Sequence, residues 1–102
     1  MANWDYELKS GKELREAIDN DDKLAVLENL EKCWREIHKA MPDKYDEDDL
    51  QEDLADIENQ KDNLENYEDY DMTEEDVEDE INYMLDGFYD FCDGYRIWVE
   101  LF

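Results

Sequence analysis

Residues 66–80 read NYEDYDMTEEDVEDE, with nine acids in fifteen positions. How this stretch is read decides the fold of the second half of the chain. Thr73 stands three residues before Asp76 and just ahead of Val77, the pattern of a capped helix start. Downstream, Val77, Ile81, Met84, Leu85, Phe88, Phe91 and Cys92 recur at helical spacing. Upstream, Leu50, Leu54, Ile57, Leu64 and Tyr67 do the same, interrupted on that face only by Lys61. The stretch therefore joins two acidic helices, expected at 46–67 and 74–93 and folded back on each other as a hairpin, with Gly94 placed to close the second.

Working outward, Ser10 with Glu13 reads as a capping box opening a short helix over 11–19, with Leu14, Ala17 and Ile18 on one face. Asp21 or Asp22 caps the next helix, 22–41, whose stripe is Leu24, Leu27, Leu30, Trp34, Ile37 and Met41, widened by Val26 and Cys33. Pro42 ends it. The two ends of the chain differ from the middle. Trp4, Tyr6 and Leu8 alternate with Asp5, Glu7 and Lys9, and Tyr95, Ile97, Val99 and Leu101 alternate with Arg96, Trp98, Glu100 and Phe102. These read as strands at 3–9 and 95–102 that pair across the termini and pack on the helices; the competing reading runs the last helix through Gly94. The expectation is one mostly α domain over 1–102, four helices with a small two-stranded sheet made by the chain termini.

The composition fits a folded domain with an extreme surface. The formal net charge is −24, yet 41% of the 102 residues are hydrophobic and thirteen are aromatic, unlike acidic disordered chains. The charge is unevenly placed. Residues 1–42 hold ten acids and seven bases, a net of −3, whereas residues 43–93 hold twenty-three acids and two bases, a net of −21. Adaptation to high salt would have acidified the whole chain, so this asymmetry argues against it. No apolar run approaches the roughly 18 residues of a membrane span, and MANWDYELKSGK lacks the features of a signal peptide, so a cytoplasmic protein without membrane contact is expected. Cys33 and Cys92 read as buried, reduced thiols.

Helix 46–67 would be roughly 33 Å long at about 1.5 Å per residue. Spread over two such helices, the carboxylates amount to one charge per about 1.4 Å, against one per about 1.7 Å in duplex DNA. The residues expected to present this row are Asp46, Asp48, Asp49, Glu52, Asp53 and Asp56 from the first acidic helix. From the junction and the second come Asp69, Asp71, Glu74, Glu75, Asp76, Asp79, Glu80, Asp86 and Asp90. Tyr70 and Tyr83 are added because tyrosine favours interfaces and stacks on arginine; Tyr45 and Tyr67 also read as exposed among the acids, with packing at the edge of the core as their ordinary alternative.

In composition and size the chain resembles the DNA-mimic inhibitors made by phages and mobile elements: Ocr, small acidic anti-CRISPR proteins and uracil-DNA glycosylase inhibitors. DEDDLQEDLADIE and YEDYDMTEEDVEDE carry the resemblance, which is one of class and not of motif. It implies a protein that blocks the DNA-binding groove of a basic partner, such as a nuclease or Cas effector, as an anti-restriction or anti-CRISPR factor. Immunity proteins that neutralise cationic nuclease toxins, and acidic scaffolds, present similar charge. Direct nucleic-acid binding is disfavoured because the face repels phosphate; a homodimer would lengthen it.

Asp69, Asp71, Thr73, Glu75 and Glu80 match EF-hand positions, but Glu74 stands where that loop turns on glycine. No metal or cofactor is therefore expected. With only Gly11, Gly87 and Gly94, no phosphate loop exists, and His38 reads as a surface or boundary residue. A binding protein is expected, not an enzyme.

Overall fold

The computed structural model describes residues 4–99. In chain order it contains β1 (Tyr6–Glu7), α1 (Gly11–Asp19), α2 (Lys23–Ala40), α3 (Glu47–Asn66), a 3-10 turn (Tyr67–Tyr70), α4 (Glu74–Gly94) and β2 (Ile97–Trp98). The expected four helices and terminal strand pair are present. Asn3 and residues 100–102, the outer parts of the expected strands, lie outside the described residues.

Helix α2 is the centre of the fold. It packs against α1 on one side and α3 on the other, and it also touches α4. Its Leu27, Leu30, Cys33 and Ile37 are fully buried with Leu14 of α1, Ile57 of α3, and Val77, Phe88 and Cys92 of α4. Both cysteines are free thiols, raised above their ordinary range by burial. Leu24, expected on this stripe, is 46% exposed, because at 100° per residue it lies about a third of a turn from the centre of the face formed by the buried Val26, Leu27, Leu30, Cys33, Trp34 and Ile37. The body is flat, 46 × 29 × 17 Å, and α3 and α4 lie side by side as the expected hairpin. No helix among the described residues is long and apolar enough to cross a membrane.

β1 and β2 pair in parallel, Tyr6 opposite Ile97 and Glu7 opposite Trp98. Backbone bonds from Asp5 to Arg96 and from Leu8 to Trp98 extend the pairing, at 2.7 and 2.9 Å. Leu8, Ile97 and Val99 point into the core, which is how so short a sheet persists. The chain leaves α4 differently from the sequence expectation: Gly94 is the last helical residue, and the left-handed position falls to Arg96, φ 57°. Tyr95 caps the helix through its N–H to Phe91.

A single carboxylate ties the N-terminal strand to α2. Glu36 accepts from the Tyr6 hydroxyl at 2.6 Å, the Lys9 N–H at 2.8 Å, and the Ser10 N–H and hydroxyl at 2.9 and 2.8 Å. The Ser10 capping box expected from the sequence is therefore not formed: its hydroxyl is committed to Glu36, and no side chain caps α1. Burial alone would raise the Glu36 carboxyl, but these bonds outweigh it and hold the group below its ordinary 4.5. Tyr6 is pushed up to about 12, by burial first and then by its bond to Glu36.

Glu36→Ala removes an acceptor shared by four donors, and is expected to cost about 2–3 kcal/mol at neutral pH in urea unfolding. Because the folded carboxyl titrates below its unfolded value, this contribution is complete above 4.5 and is lost as pH falls through the folded value. The two proteins should converge in acid. A neutral-pH loss below about 0.5 kcal/mol would show that the strand is held by packing alone.

Candidate partner-binding face

The carboxylates of the acidic half divide by their local work. Asp46 is the N-cap of α3 and accepts from the Asp49 N–H at 2.9 Å. Thr73 accepts from the Asp76 N–H at 3.2 Å while the Asp76 carboxylate accepts from the Thr73 N–H at 2.9 Å, a complete capping box at the head of α4. Asp48, Asp49, Glu74 and Glu75 stand in the first turns, where the helix dipole stabilises a negative charge by about 0.3–1 kcal/mol. Glu74 also pairs with Lys23 at 3.6 Å. Asp69 and Asp71 are exposed at the hairpin tip, and Asp71 takes the left-handed conformation that closes the 3-10 turn.

No such local reason accounts for the acids in mid-helix. Glu52, Asp56, Asp79, Glu80, Asp86 and Asp90 are exposed along α3 and α4. The two bases between residues 43 and 93 have other partners than these acids. Lys61 reaches Glu31 of α2 and Glu58, both at 3.4 Å, and Lys44 lies 5.5 Å from the centre of the Tyr95 ring. Of the hairpin's own acids Lys61 offsets Glu58, and neither lysine pairs with Glu52, Asp56, Asp79, Asp86 or Asp90.

The tyrosines separate. Tyr83 is 81% exposed and Tyr70 half exposed, the latter donating to Asp62 at 2.6 Å. Tyr67 is partly buried. Tyr45, expected to be exposed, is instead in the core, stacked on Trp34 with ring centroids 4.8 Å apart. Its hydroxyl donates to Asp53, which turns that residue from a surface charge into a partly buried one. Desolvation, reinforced by the charges of Asp56, Glu52 and Asp49, raises the Asp53 carboxyl above its ordinary value despite the Tyr45 bond. Next to them His38 bridges the α2–α3 connection, donating from Nδ1 to the Tyr45 carbonyl at 2.8 Å and placing Nε2 3.1 Å from Glu47.

Between α3 and α4 lies a groove of about 800 Å3. Its rims carry Asp53 and Asp56 on one side and Asp79, Glu80 and Tyr83 on the other; Gln60 and Glu80 bond across it at 2.6 Å. Its floor is apolar, with Met84 and Phe91 of α4 partly accessible and the buried Trp34 of α2 and Phe88 of α4 beneath them. Phe88 and Phe91 both meet Trp34 edge-on, at 5.1 and 5.2 Å. Gly87 lines the groove as well, and a Cβ added there would meet nothing within 4 Å. The apolar stripes placed Trp34, Met84, Phe88 and Phe91 in the core, and Trp34 and Phe88 are there; what the sequence did not reveal is that Met84 and Phe91 are only partly buried and border a groove. The available signal was a glycine in mid-helix, a choice that costs about 0.5–1 kcal/mol relative to alanine.

Among the described residues, no group of three or more His, Cys, Asp or Glu is disposed to hold a metal ion. Comparison with protein-family models, with curated proteins and with solved structures finds no match to this chain.

Because the native state of Asp53 binds its proton at higher pH than the unfolded chain does, the charged carboxylate is a stability cost at neutral pH that disappears on acidification. Asp53→Asn keeps an acceptor for Tyr45 and removes the charge. Its thermal midpoint is expected above that of the parent at pH 7, with the difference shrinking toward pH 4; a variant less stable than the parent at pH 7 would refute this.

Proposed function

We propose that the protein acts by binding, its outward α3 and α4 carboxylates occupying the DNA-binding groove of a basic target protein. The setting is phage or prophage anti-defence, with a nuclease or Cas effector as the class of target. One observation carries the reading: Glu52, Asp56, Asp79, Asp86 and Asp90 are exposed along two adjacent helices, while the segment's own two lysines are engaged with Glu31, Glu58 and the Tyr95 ring. A surface that only needed to be soluble would mix signs. Concentrating like charge costs stability, and that cost is recovered when a cationic surface covers it and counterions are released. The mid-helix positions Glu52, Asp56, Asp79 and Asp86 are the strongest candidates for contact, since neither capping nor the helix dipole accounts for them.

The test is capture of host proteins at low salt on the immobilised protein, followed by displacement with duplex DNA. The expected result is one DNA-binding enzyme, released by duplex DNA and lost from a Glu52→Lys, Asp56→Lys, Asp79→Lys, Asp86→Lys variant that keeps its helical circular dichroism. A mixture of ribosomal and other basic proteins shed at low salt would overturn the proposal, as would equal capture by the variant. Recovery of a small cationic toxin would replace it with toxin neutralisation.

A further inference from the structure

A phosphate mimic needs only charge, whereas the face described above is split by a groove with an aromatic floor. Met84 and Phe91 lie at the bottom over the buried Trp34 and Phe88, and Asp53, Asp56, Asp79 and Glu80 stand on the rims. An apolar floor alone would accept any hydrophobic side chain. The four rim carboxylates restrict it: a neutral or acidic segment entering the groove would desolvate them without return, while flanking cations would pair with them. Arginine suits the rim better than lysine, because its planar guanidinium pairs with carboxylates and also stacks on the exposed Tyr83 ring. From Asp53 to Gln60 the rim runs roughly 10 Å at about 1.5 Å per residue, room for about two turns of a helix laid along it.

Gly87 points the same way. It is a non-terminal residue of α4, its φ is not positive, and nothing in the protein occupies the space where its side chain would be. Neither backbone geometry nor internal packing requires glycine there. What its absent side chain leaves is close access to the helix from the groove.

Resting on the binding role argued above, we propose that the α3–α4 groove is the docking site for an arginine-flanked amphipathic helix of the basic partner. That helix lays apolar residues at i and i+4 on the partly exposed Met84 and Phe91, beside Gly87 and the Tyr83 ring, and sets its arginines against the rims. Recognition is then two-part: carboxylates draw the partner in, and the groove selects it.

The probe is a helix-forming peptide of about 18 residues with a leucine and phenylalanine stripe flanked by arginines. It is compared with a scrambled isomer of the same composition and with an all-arginine peptide, by titration calorimetry at about 0.15 M salt. The striped peptide should bind at least about tenfold tighter than its isomer. Gly87→Trp, which fills the groove from the open side, should erase that advantage without lowering the thermal midpoint; Gly87→Leu serves if the tryptophan variant is poorly folded. Equal binding of the two isomers, or an advantage that survives groove filling, overturns the proposal. If cationic peptides bind regardless of pattern and the four-lysine variant abolishes that binding, the groove fails while the charged face stands. If no cationic peptide binds even at low salt, both fall.

Discussion

The contact of α2 with α3 and α4 is what the rest of the molecule depends on. A hairpin with a net of −21 over residues 43–93 repels itself, and an isolated pair of such helices would separate. Leu27, Leu30, Trp34 and Ile37 of α2 supply the apolar surface on which Leu50, Leu54 and Ile57 of α3 and Val77, Ile81, Leu85 and Phe88 of α4 are buried. Burial at roughly 25 cal/mol per Å2 of apolar area sets that attraction. Lys61 strengthens the same seam, since its position on the narrow α3 stripe takes it to Glu31 of α2.

Carboxylates serve two ends in this protein. Glu36, Asp22, Asp46 and Asp76 each accept backbone N–H bonds where a strand or helix begins. These acids define ends of elements, and the rest of the charge rides on the outward surface of elements so defined. Asp53 stands between the classes, joined to Tyr45 from inside and bordering the groove from outside. The groove itself arises where α3 and α4 meet only in part over the aromatic residues of α2 and α4, so the feature proposed to select a partner follows from the same packing that restrains the repulsion.

The helices were legible because their apolar periodicity survives among the acids, and the Thr73 and Asp76 capping box because it is local. The terminal strand pair was legible too, but side-chain contacts across long sequence separation were not. Nothing near Ser10 in the chain announces that Glu36, twenty-six residues on, will take its hydroxyl. Tyr45 sits in an acidic connection and looks exposed; its burial depends on the face of Trp34, supplied by another element. The acidic residues of the candidate face could be named from sequence because charge is visible there. The groove could not, because Met84 and Phe91 read as ordinary core positions, and only the packing of three helices leaves them partly uncovered beside Gly87.

The account holds that outward charge on α3 and α4 is an unrelieved cost in the free protein, available to be relieved by a cationic partner. The most direct measurement is the thermal midpoint between about 0.01 and 0.5 M sodium chloride, for the parent and for a variant with Glu52→Gln, Asp56→Asn, Asp79→Asn and Asp86→Asn. The parent should gain about 5–10 °C, corresponding to about 1–2 kcal/mol for a domain of this size, and the variant distinctly less. A parent midpoint that stays flat or falls with salt would contradict the account.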